Sequence, residues 1–232
     1  MQDDYYQNIL YPLQDRILKL ISPLPVDFYL TGGTVLSRVY LHHRYSDDLD
    51  FFANNINDFK NQVDRVIKAF RAMSVSFEVA LADESYARIF IHEGKFSIKI
   101  DLINDVSFRS GQAGATSLFI RTDNIYNILS NKLTALSRYA AKDVVDIVYI
   151  SENQSFDWEN VFQDANEKDV WVNPINAAEI LEKFPVEQLH DIAWIGEPPS
   201  SLWFTDRLKG IIRGIIEGSD NIPDFDFNVP SG

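Results

Sequence analysis

The chain has 232 residues, 46 % of them hydrophobic and 24 % charged, and this ordinary globular composition excludes extensive disorder. It has no cysteine, which excludes a disulfide framework and a thiol nucleophile. No apolar stretch approaches the roughly 20 residues of a membrane span, and the first residues do not resemble a signal peptide. We therefore expect a cytoplasmic protein without a membrane partner.

The net charge of −13 is unevenly distributed along the chain. Residues 1–150 contain 18 acidic and 16 basic side chains, which gives a net charge of −2. Residues 151–232 contain 16 acidic and 5 basic side chains, which gives a net charge of −11. A near-neutral first part can bind phosphate groups. The acidic second part repels a polyanion and favours solubility or a basic partner.

The first part of the chain predicts helices and strands around a glycine turn. Apolar residues recur at helical spacing near the N-terminus, and a proline-containing segment ends this first helix. Short apolar runs on either side of a second helix are typical of strands. The expected elements are a helix over 3–21, a strand over 26–30, a turn at 32–33, a helix over 34–42 and a strand over 48–53.

The remaining sequence predicts further strands and then helices. Residues 57–73 have the clearest amphipathic pattern of a helix. We expect strands over 74–81, 87–92, 96–103 and 118–120, and helices over 125–138, 142–150, 158–166, 177–184, 186–194 and 202–217. The sequence thus predicts an α+β protein with a mixed sheet flanked by helices over residues 1–121, a C-terminal helical domain over residues 122–218 and a flexible tail over residues 219–232.

Two glycines, Gly32 and Gly33, lie where a predicted strand meets a helix N-terminus. Because glycine has no Cβ, backbone N–H groups at such a turn can approach an anion closely. A Gly-Gly pair is more often a tight turn without any ligand. The glycines therefore indicate a phosphate site only in combination with other residues.

Three aspartates mark a candidate metal site. Asp48 and Asp50 open an apolar strand at positions i and i+2, so their side chains project from the same face. Aspartates are poor strand formers and repel each other, which favours a bound cation such as Mg²⁺ over a solvated strand edge. Asp101 lies inside another apolar strand, where a metal ligand and a hydrogen-bonded structural aspartate are the alternatives.

These features resemble the nucleotidyltransferase superfamily related to DNA polymerase β. An apolar strand, Gly-Gly, a helix, Asp-x-Asp and a lone Asp on a later strand occur in that order. More narrowly, three segments are similar to successive motifs of the AbiEii/AbiGii toxin family, the nucleotidyltransferase-like toxins of type IV toxin–antitoxin systems. These segments are Thr31–Ser37, Arg44–Phe51, and Asn131–Arg138 followed by Lys142–Asp146. The resemblance covers about residues 26–150.

The resemblance implies a toxin that transfers a nucleoside monophosphate from an NTP to a hydroxyl group. The resemblance leaves the acceptor open between RNA, with the tRNA 3′ end as one example, and another hydroxyl-bearing target. A cognate antitoxin would restrain the enzyme. Two Mg²⁺ ions, or Mn²⁺ instead, would be held by Asp48 and Asp50. Asp101 would complete the metal site or act as the base.

The resemblance also implies which residues bind the nucleotide. Lys132 would be catalytic and, together with Arg138, would neutralise phosphate charge. Either Asp143 or Asp146 would orient Lys132 or the nucleotide, and Asp146 is favoured. For Ser46, a local turn contact is the alternative. The remaining expected nucleotide-binding residues are Gly32, Gly33, Thr34, Ser37, Ser46 and Asp146.

Two other functions remain open from the sequence. One is a nucleotidyltransferase that modifies a small molecule, since the acidic second part suits a cationic antibiotic such as an aminoglycoside. The other is a nucleotide-binding module without transfer activity. A metal site at His42 and His43 is disfavoured, because adjacent side chains on a helix diverge, and pairing with the helix C-terminal dipole is expected instead.

Overall fold

The computed structural model describes residues 2–72 and 75–223, which fall into two compact units. The first unit spans residues 1–40 and 45–124, and the second spans residues 41–44 and 125–232. The short segment Leu41–Arg44 thus belongs with residues far along the chain. The predicted domain limits at residues 121 and 218 stay a prediction.

The first unit begins with a helical region over the part predicted as one helix. It consists of α1 (Gln2–Tyr5), a π-helical turn (Tyr6–Leu10) and α2 (Tyr11–Ile21). Pro12, which has no backbone N–H, lies in the first turn of α2, directly after the π-helical turn. The side chains of Ile17 and Ile21 are fully buried, as the helical spacing of apolar residues predicts.

The rest of the first unit alternates strands and helices. Its elements are β1 (Tyr29–Thr31), α3 (Gly32–Val35) with a π-helical continuation (Leu36–Leu41), β2 (Leu49–Asn54), α4 (Phe59–Ala72), β3 (Ser76–Ala82), β4 (Tyr86–Glu93) and β5 (Phe96–Asp105). The five strands form one sheet in the order β1-β2-β5-β4-β3. Only the β2–β5 pair is parallel, so the sheet is mixed, as predicted.

The register of the sheet aligns polar residues in one row. Thr31 of β1 pairs with Asp50 of β2, Asp50 pairs with Asp101 of β5, and Asp101 pairs with Arg88 of β4. Directly paired residues point to the same face of a sheet. One face therefore carries a polar row across four strands, and the residues of this row on β2, β5 and β4 are charged.

The opposite face of the sheet is apolar. Leu49, Phe51 and Ala53 alternate with the half-buried Asp50 and are themselves buried. The central positions of β4 and β5 follow the same alternation. Burying each large apolar side chain contributes about 1.5–3 kcal/mol, so a one-residue slip that exposed this face would be strongly unfavourable. The hydrophobic core thereby fixes the register of the polar row.

The second unit is mostly helical. Its elements are α5 (Ile125–Ala135), a 3₁₀ turn (Leu136–Arg138), α6 (Ala141–Asn153), β6 (Phe156–Asp157), α7 (Trp158–Lys168), α8 (Pro174–Glu182), a 3₁₀ segment (Val186–Asp191), α9 (Ser201–Glu217) and β7 (Asp220–Asn221). Asp157, Asn173 and Ser200 cap the N-termini of α7, α8 and α9 through their side chains. The predicted α+β class is confirmed.

Two predicted elements are wrong. Residues 118–120 form no strand; the nearby Thr122 instead makes isolated bridges to Leu30 and Gly114. The helix expected over 186–194 is a 3₁₀ segment that ends at Asp191. The flexible tail over residues 219–232 stays a prediction; at its start, β7 pairs with β6, and the Asn221 side chain donates to two backbone carbonyls. These elements depend on tertiary partners that no local pattern specifies.

Parts of some predictions lie outside the described residues. These are Met73 at the end of the predicted amphipathic helix, Ser74 at the start of the following strand, and residues 224–232 of the predicted tail. Within the part of the chain that the structure describes, no helix combines the length and the apolar character needed to cross a membrane.

Candidate active site

The glycine turn and Asp50 are in close contact. Gly32 has φ +74°, a left-handed conformation that favours glycine. A Cβ atom at Gly32 would lie 2.8 Å from Oδ2 of Asp50. The missing side chain thus leaves room for the Asp50 carboxylate beside the start of α3. Gly33 and Thr34 follow in the first turn, and the side chain of the N-cap residue Thr31 makes no capping hydrogen bond but donates to Asp123.

Asp48 and Lys99 form a half-buried ion pair on the polar face. The Lys99 Nζ lies 2.8 Å from Oδ2 of Asp48 and 3.5 Å from Oδ2 of Asp101. The side chains of Lys99 and Asp48 are 27 % and 26 % exposed. Burial alone would lower the pKa of Lys99. This effect is outweighed by the hydrogen bond to Asp48 and by the negative charges of Asp48, Asp101 and Asp50, so the pKa of Lys99 is raised. Lys99 is therefore a cation shared by two carboxylates.

Asp101 is held by hydrogen bonds to both of its oxygens. Arg88 donates from Nε to Oδ1 at 2.8 Å and from Nη2 to Oδ2 at 2.9 Å, and the Tyr86 hydroxyl donates to Oδ1 at 2.9 Å. Burial raises the pKa of Asp101, yet these hydrogen bonds and the charge of Lys99 hold it below its ordinary value. A carboxylate bound in this way is a weak base, which favours a role in orienting Arg88 and Lys99.

The three expected nucleotide-binding hydroxyls face the protein interior. Thr34 donates to the backbone carbonyl of Asp48 and also bonds the Ser46 hydroxyl at 3.1 Å. The Ser37 hydroxyl lies 3.3 Å from that of Tyr11. All three side chains are buried. Their observed contacts support the segment that leads into Asp48, and their predicted nucleotide contacts stay a prediction.

The N-terminal helical region supports the same segment. Gln14 of α2 is fully buried, and its Nε2 donates to the carbonyls of Ser46 at 3.1 Å and Asp47 at 3.2 Å. The Tyr6 hydroxyl donates to the Asp47 carboxylate at 2.8 Å, and the Tyr6 ring stacks on Tyr45 at 4.0 Å between ring centroids. The two bonds of Gln14 give partners to backbone carbonyls of this segment, and the Tyr6 contacts hold the side chains of Tyr45 and Asp47.

A second polar cluster is built within the second unit. The Lys132 Nζ of α5 lies 2.7 Å from Oδ1 of Asp143 and 2.7 Å from Oδ2 of Asp146, both on α6. All three side chains are buried. Burial lowers the pKa of Lys132, but the charges of Asp146 and Asp143 outweigh it and keep the pKa raised. The two aspartates that the sequence left as alternatives thus both orient Lys132.

Asp146 is also bound by residues of the segment Leu41–Arg44. Arg44 donates from Nε and Nη2 to the two oxygens of Asp146, each at 2.7 Å. Nε2 of His43 lies 2.9 Å from Oδ1 of Asp146. Burial raises the pKa of Asp146, but Arg44, Lys132 and His43 together hold it well below its ordinary value.

His43 is a buried neutral partner in this cluster. Burial lowers its pKa more than the hydrogen bond to Asp146 raises it, so the imidazole is neutral at pH 7 and donates from Nε2. The sequence led us to expect that His43 pairs with the helix C-terminal dipole. The hydrogen-bond partner that the structure shows is the Asp146 carboxylate. Near the same cluster, Arg138 donates to Oδ2 of Asp143 at 3.0 Å and leaves its side chain 65 % exposed.

The carboxylate groups of the first unit are suitable ligands for a divalent cation. Asp48 and Asp50 supply hard oxygen ligands on one face, and the ammonium of Lys99 already occupies a cation position at Asp48. Gly32 leaves the space beside Asp50 that a Cβ would fill. Across the described residues, no group of three or more His, Cys, Asp or Glu side chains is arranged to hold a metal. Water and substrate oxygens would have to complete the coordination.

Sequence reasoning missed several residues of both clusters. Arg88 and Tyr86 were not identified because their contacts depend on the pairing of β4 with β5. Lys99 carried a usable signal, since it lies two residues before Asp101 on the same strand and so faces the same side. The bond of His43 to Asp146 was not predicted either, because it depends on the packing of residues about 100 positions apart in the chain.

The comparisons with known proteins give the family. A family model described as the nucleotidyl transferase AbiEii toxin of type IV toxin–antitoxin systems matches residues 16–226. The chain belongs to the AbiEii family. It is accordingly a nucleotidyltransferase of a toxin family, which confirms the predicted family and enzyme class. The match extends beyond the residues 26–150 on which the resemblance was based.

Solved structures share the fold of this AbiEii protein. A Helicobacter pylori protein described as a candidate nucleotidyltransferase is 16 % identical, with a TM-score of 0.60, and the alignment covers 89 % of this chain and 94 % of that one. MenT4, a nucleotidyltransferase toxin of Mycobacterium tuberculosis, is 15 % identical, with a TM-score of 0.59, covering 95 % and 84 %. At these identities the likeness shows the fold alone. The search of curated proteins found no match.

We expect Gly32→Ala to destabilise the AbiEii protein more than Gly94→Ala. Both glycines have positive φ, so each alanine carries a conformational cost of about 1–2 kcal/mol. Only the Cβ at Gly32 meets a side chain, at 2.8 Å, whereas nothing lies within 4 Å of the Cβ position at Gly94. Urea unfolding of both variants measures the difference. Equal losses of stability would show that the contact with Asp50 is unimportant.

We expect Asp146→Asn to destabilise the protein by about 3–5 kcal/mol, because Lys132 and Arg44 would lose a buried counter-charge. The exposed Asp206 on α9 gives a matched control, and Asp206→Asn should change stability by less than about 0.5 kcal/mol. Since the folded pKa of Asp146 is depressed, its contribution is complete above the unfolded value of about 3.9 and declines as pH falls below it. If the difference in the free energy of unfolding between wild type and Asp146→Asn stayed constant down to pH 2, the ionised state assigned to Asp146 would be contradicted.

Proposed function

We propose that the protein transfers a nucleoside monophosphate from an NTP to a hydroxyl group of RNA in a Mg²⁺-dependent reaction. The observation that carries the proposal is that Asp50 lies beside the Gly32 turn, while Asp48 pairs with Lys99 on the same face of the sheet. Membership of the AbiEii toxin family supports the transfer reaction and a cognate antitoxin.

Asp48 and Asp50 would hold the divalent cation through their carboxylate oxygens. When bound, Mg²⁺ supplies charge neutralisation on the triphosphate and activation of the attacking hydroxyl. Asp101 keeps Arg88 oriented through two hydrogen bonds, so that a fixed positive charge lies beside the aspartates. Arg88 and Lys99 thereby limit the repulsion among the three carboxylates.

The glycine turn would receive phosphate oxygens of the NTP. The first N–H groups of a helix have no intrahelical acceptor, and Gly32 at the start of α3 is half-buried, whereas Gly33 is buried. In the second unit, Arg138 has an exposed guanidinium suited to a phosphate. Lys132 is buried between two aspartates and would require a change of partner to contact the nucleotide directly.

An RNA acceptor is compatible with the charge distribution, because residues 1–150 have a net charge of only −2. The net charge of −11 over residues 151–232 favours a cationic small molecule as the second candidate acceptor. The two candidates share the same transfer chemistry and differ only in the source of the hydroxyl group.

The test is transfer of label from α-³²P-labelled NTPs to total tRNA, and in parallel to aminoglycosides, with Mg²⁺ present. We expect wild type to label RNA and Asp48→Asn to reduce the rate by at least about 10²-fold, since a metal ligand would be lost. Asp64→Asn, which removes an exposed carboxylate from α4, is the matched control and should retain wild-type rates.

Equal labelling by wild type and Asp48→Asn would exclude Asp48 from the chemistry. Labelling of aminoglycosides alone would replace RNA by the small-molecule acceptor. NTP binding without any release of pyrophosphate would contradict transfer activity and leave only nucleotide binding.

A further inference from the structure

Lys99 occupies the position where a cation would compensate Asp48. Its ammonium lies 2.8 Å from Oδ2 of Asp48 and 3.5 Å from Oδ2 of Asp101. It projects from β5 on the same face as Asp101, two residues away, and Asp101 pairs directly with Asp50 of β2. A positively charged side chain thus lies close to the aspartates of the candidate site, Asp48, Asp50 and Asp101.

The two carboxylates that contact Lys99 differ in their other partners. Asp101 already receives two hydrogen bonds from Arg88 and one from Tyr86, so its charge is compensated without Lys99. For Asp48, the ion pair with Lys99 is the short contact, and its carboxylate remains partly exposed. Lys99 therefore acts mainly on the carboxylate that the proposed function assigns to the metal.

A divalent cation and the Lys99 ammonium compete for Asp48. A cation bound to the Asp48 carboxylate would lie close to the Lys99 ammonium, and like charges at such a spacing repel strongly in a half-buried site. The lysine stem is flexible and its side chain is 27 % exposed, so the ammonium can leave without disturbing the strand.

We propose that Lys99 is an internal counter-ion that occupies the cation position at Asp48 and is displaced when a divalent cation binds. The proposal rests on the assignment of Asp48 as a metal ligand under the proposed function. It explains how three aspartates remain close together without metal. Metal binding must also break the Asp48–Lys99 ion pair. The affinity for metal therefore depends partly on Lys99, which is not itself a ligand.

The size of the effect follows from neighbouring charges in proteins. A unit charge within about 4–6 Å shifts an ionisation equilibrium by about 1–3 pKa units, which is about 10- to 1,000-fold. Removing the charge of Lys99 should therefore strengthen divalent-metal binding by about tenfold or more.

The experiment is a titration of the full chain with Mn²⁺ and no NTP, with free Mn²⁺ followed by electron paramagnetic resonance. Lys99→Met should lower the Kd for Mn²⁺ by about tenfold, while Lys99→Arg, which keeps the charge, should stay close to wild type. Lys95→Met is the matched control, because Lys95 is an exposed lysine of the same hairpin. The increase in Mn²⁺ affinity caused by Lys99→Met should disappear when this substitution is combined with Asp48→Asn.

Several results would overturn the proposal. Equal affinities of wild type and Lys99→Met, equal gains in Lys99→Met and Lys95→Met, or no Mn²⁺ binding by any variant would each do so. Because the readout is metal binding without nucleotide, it is separate from the test of transfer. Tighter Mn²⁺ binding without any transfer activity would refute the proposed function alone, and normal transfer without a change in affinity would refute the counter-ion role alone.

Discussion

The arrangement of the first unit depends on the compensation of charge along one row of the sheet. The register brings Asp50 beside Asp101, and Asp48 lies on the same face just before β2. Three carboxylates in a half-buried position repel one another unless cations lie between them. Arg88 provides a fixed cation through two hydrogen bonds, and Lys99 provides a movable one through a single ammonium.

In the second unit, charges are also compensated by neighbouring side chains, but there the charged groups are buried. Lys132 bridges Asp143 and Asp146, and Arg44 binds both oxygens of Asp146. A fully buried ionic network of this kind is costly to break, because each member would leave an unpaired charge behind. Such a network holds its residues in one geometry. The first unit, by contrast, keeps partly exposed pairs that can exchange partners, which is the property expected of a site that binds a substrate or an ion.

The sequence predicted the acidic residues of the first unit but not their basic partners. Asp48, Asp50 and Asp101 were found because strand periodicity and apolar neighbours are local signals. Arg88 could not be placed in the same way, since its contact with Asp101 depends on which strands pair and in which register. The grouping of Arg44 with α6, about 100 residues later in the chain, likewise depends on tertiary packing. For the same reason, the strand predicted at residues 118–120 was wrong.

The most direct measurement is anomalous diffraction from crystals grown with Mn²⁺ and a non-hydrolysable NTP analogue. A divalent site formed by the aspartate pair predicts an anomalous peak about 2.0–2.2 Å from oxygens of both Asp48 and Asp50, with the Lys99 ammonium moved away from Asp48. A bound nucleotide with its metal on other residues, and with the Asp48–Lys99 pair intact, would contradict the assignment of this face as the catalytic metal site.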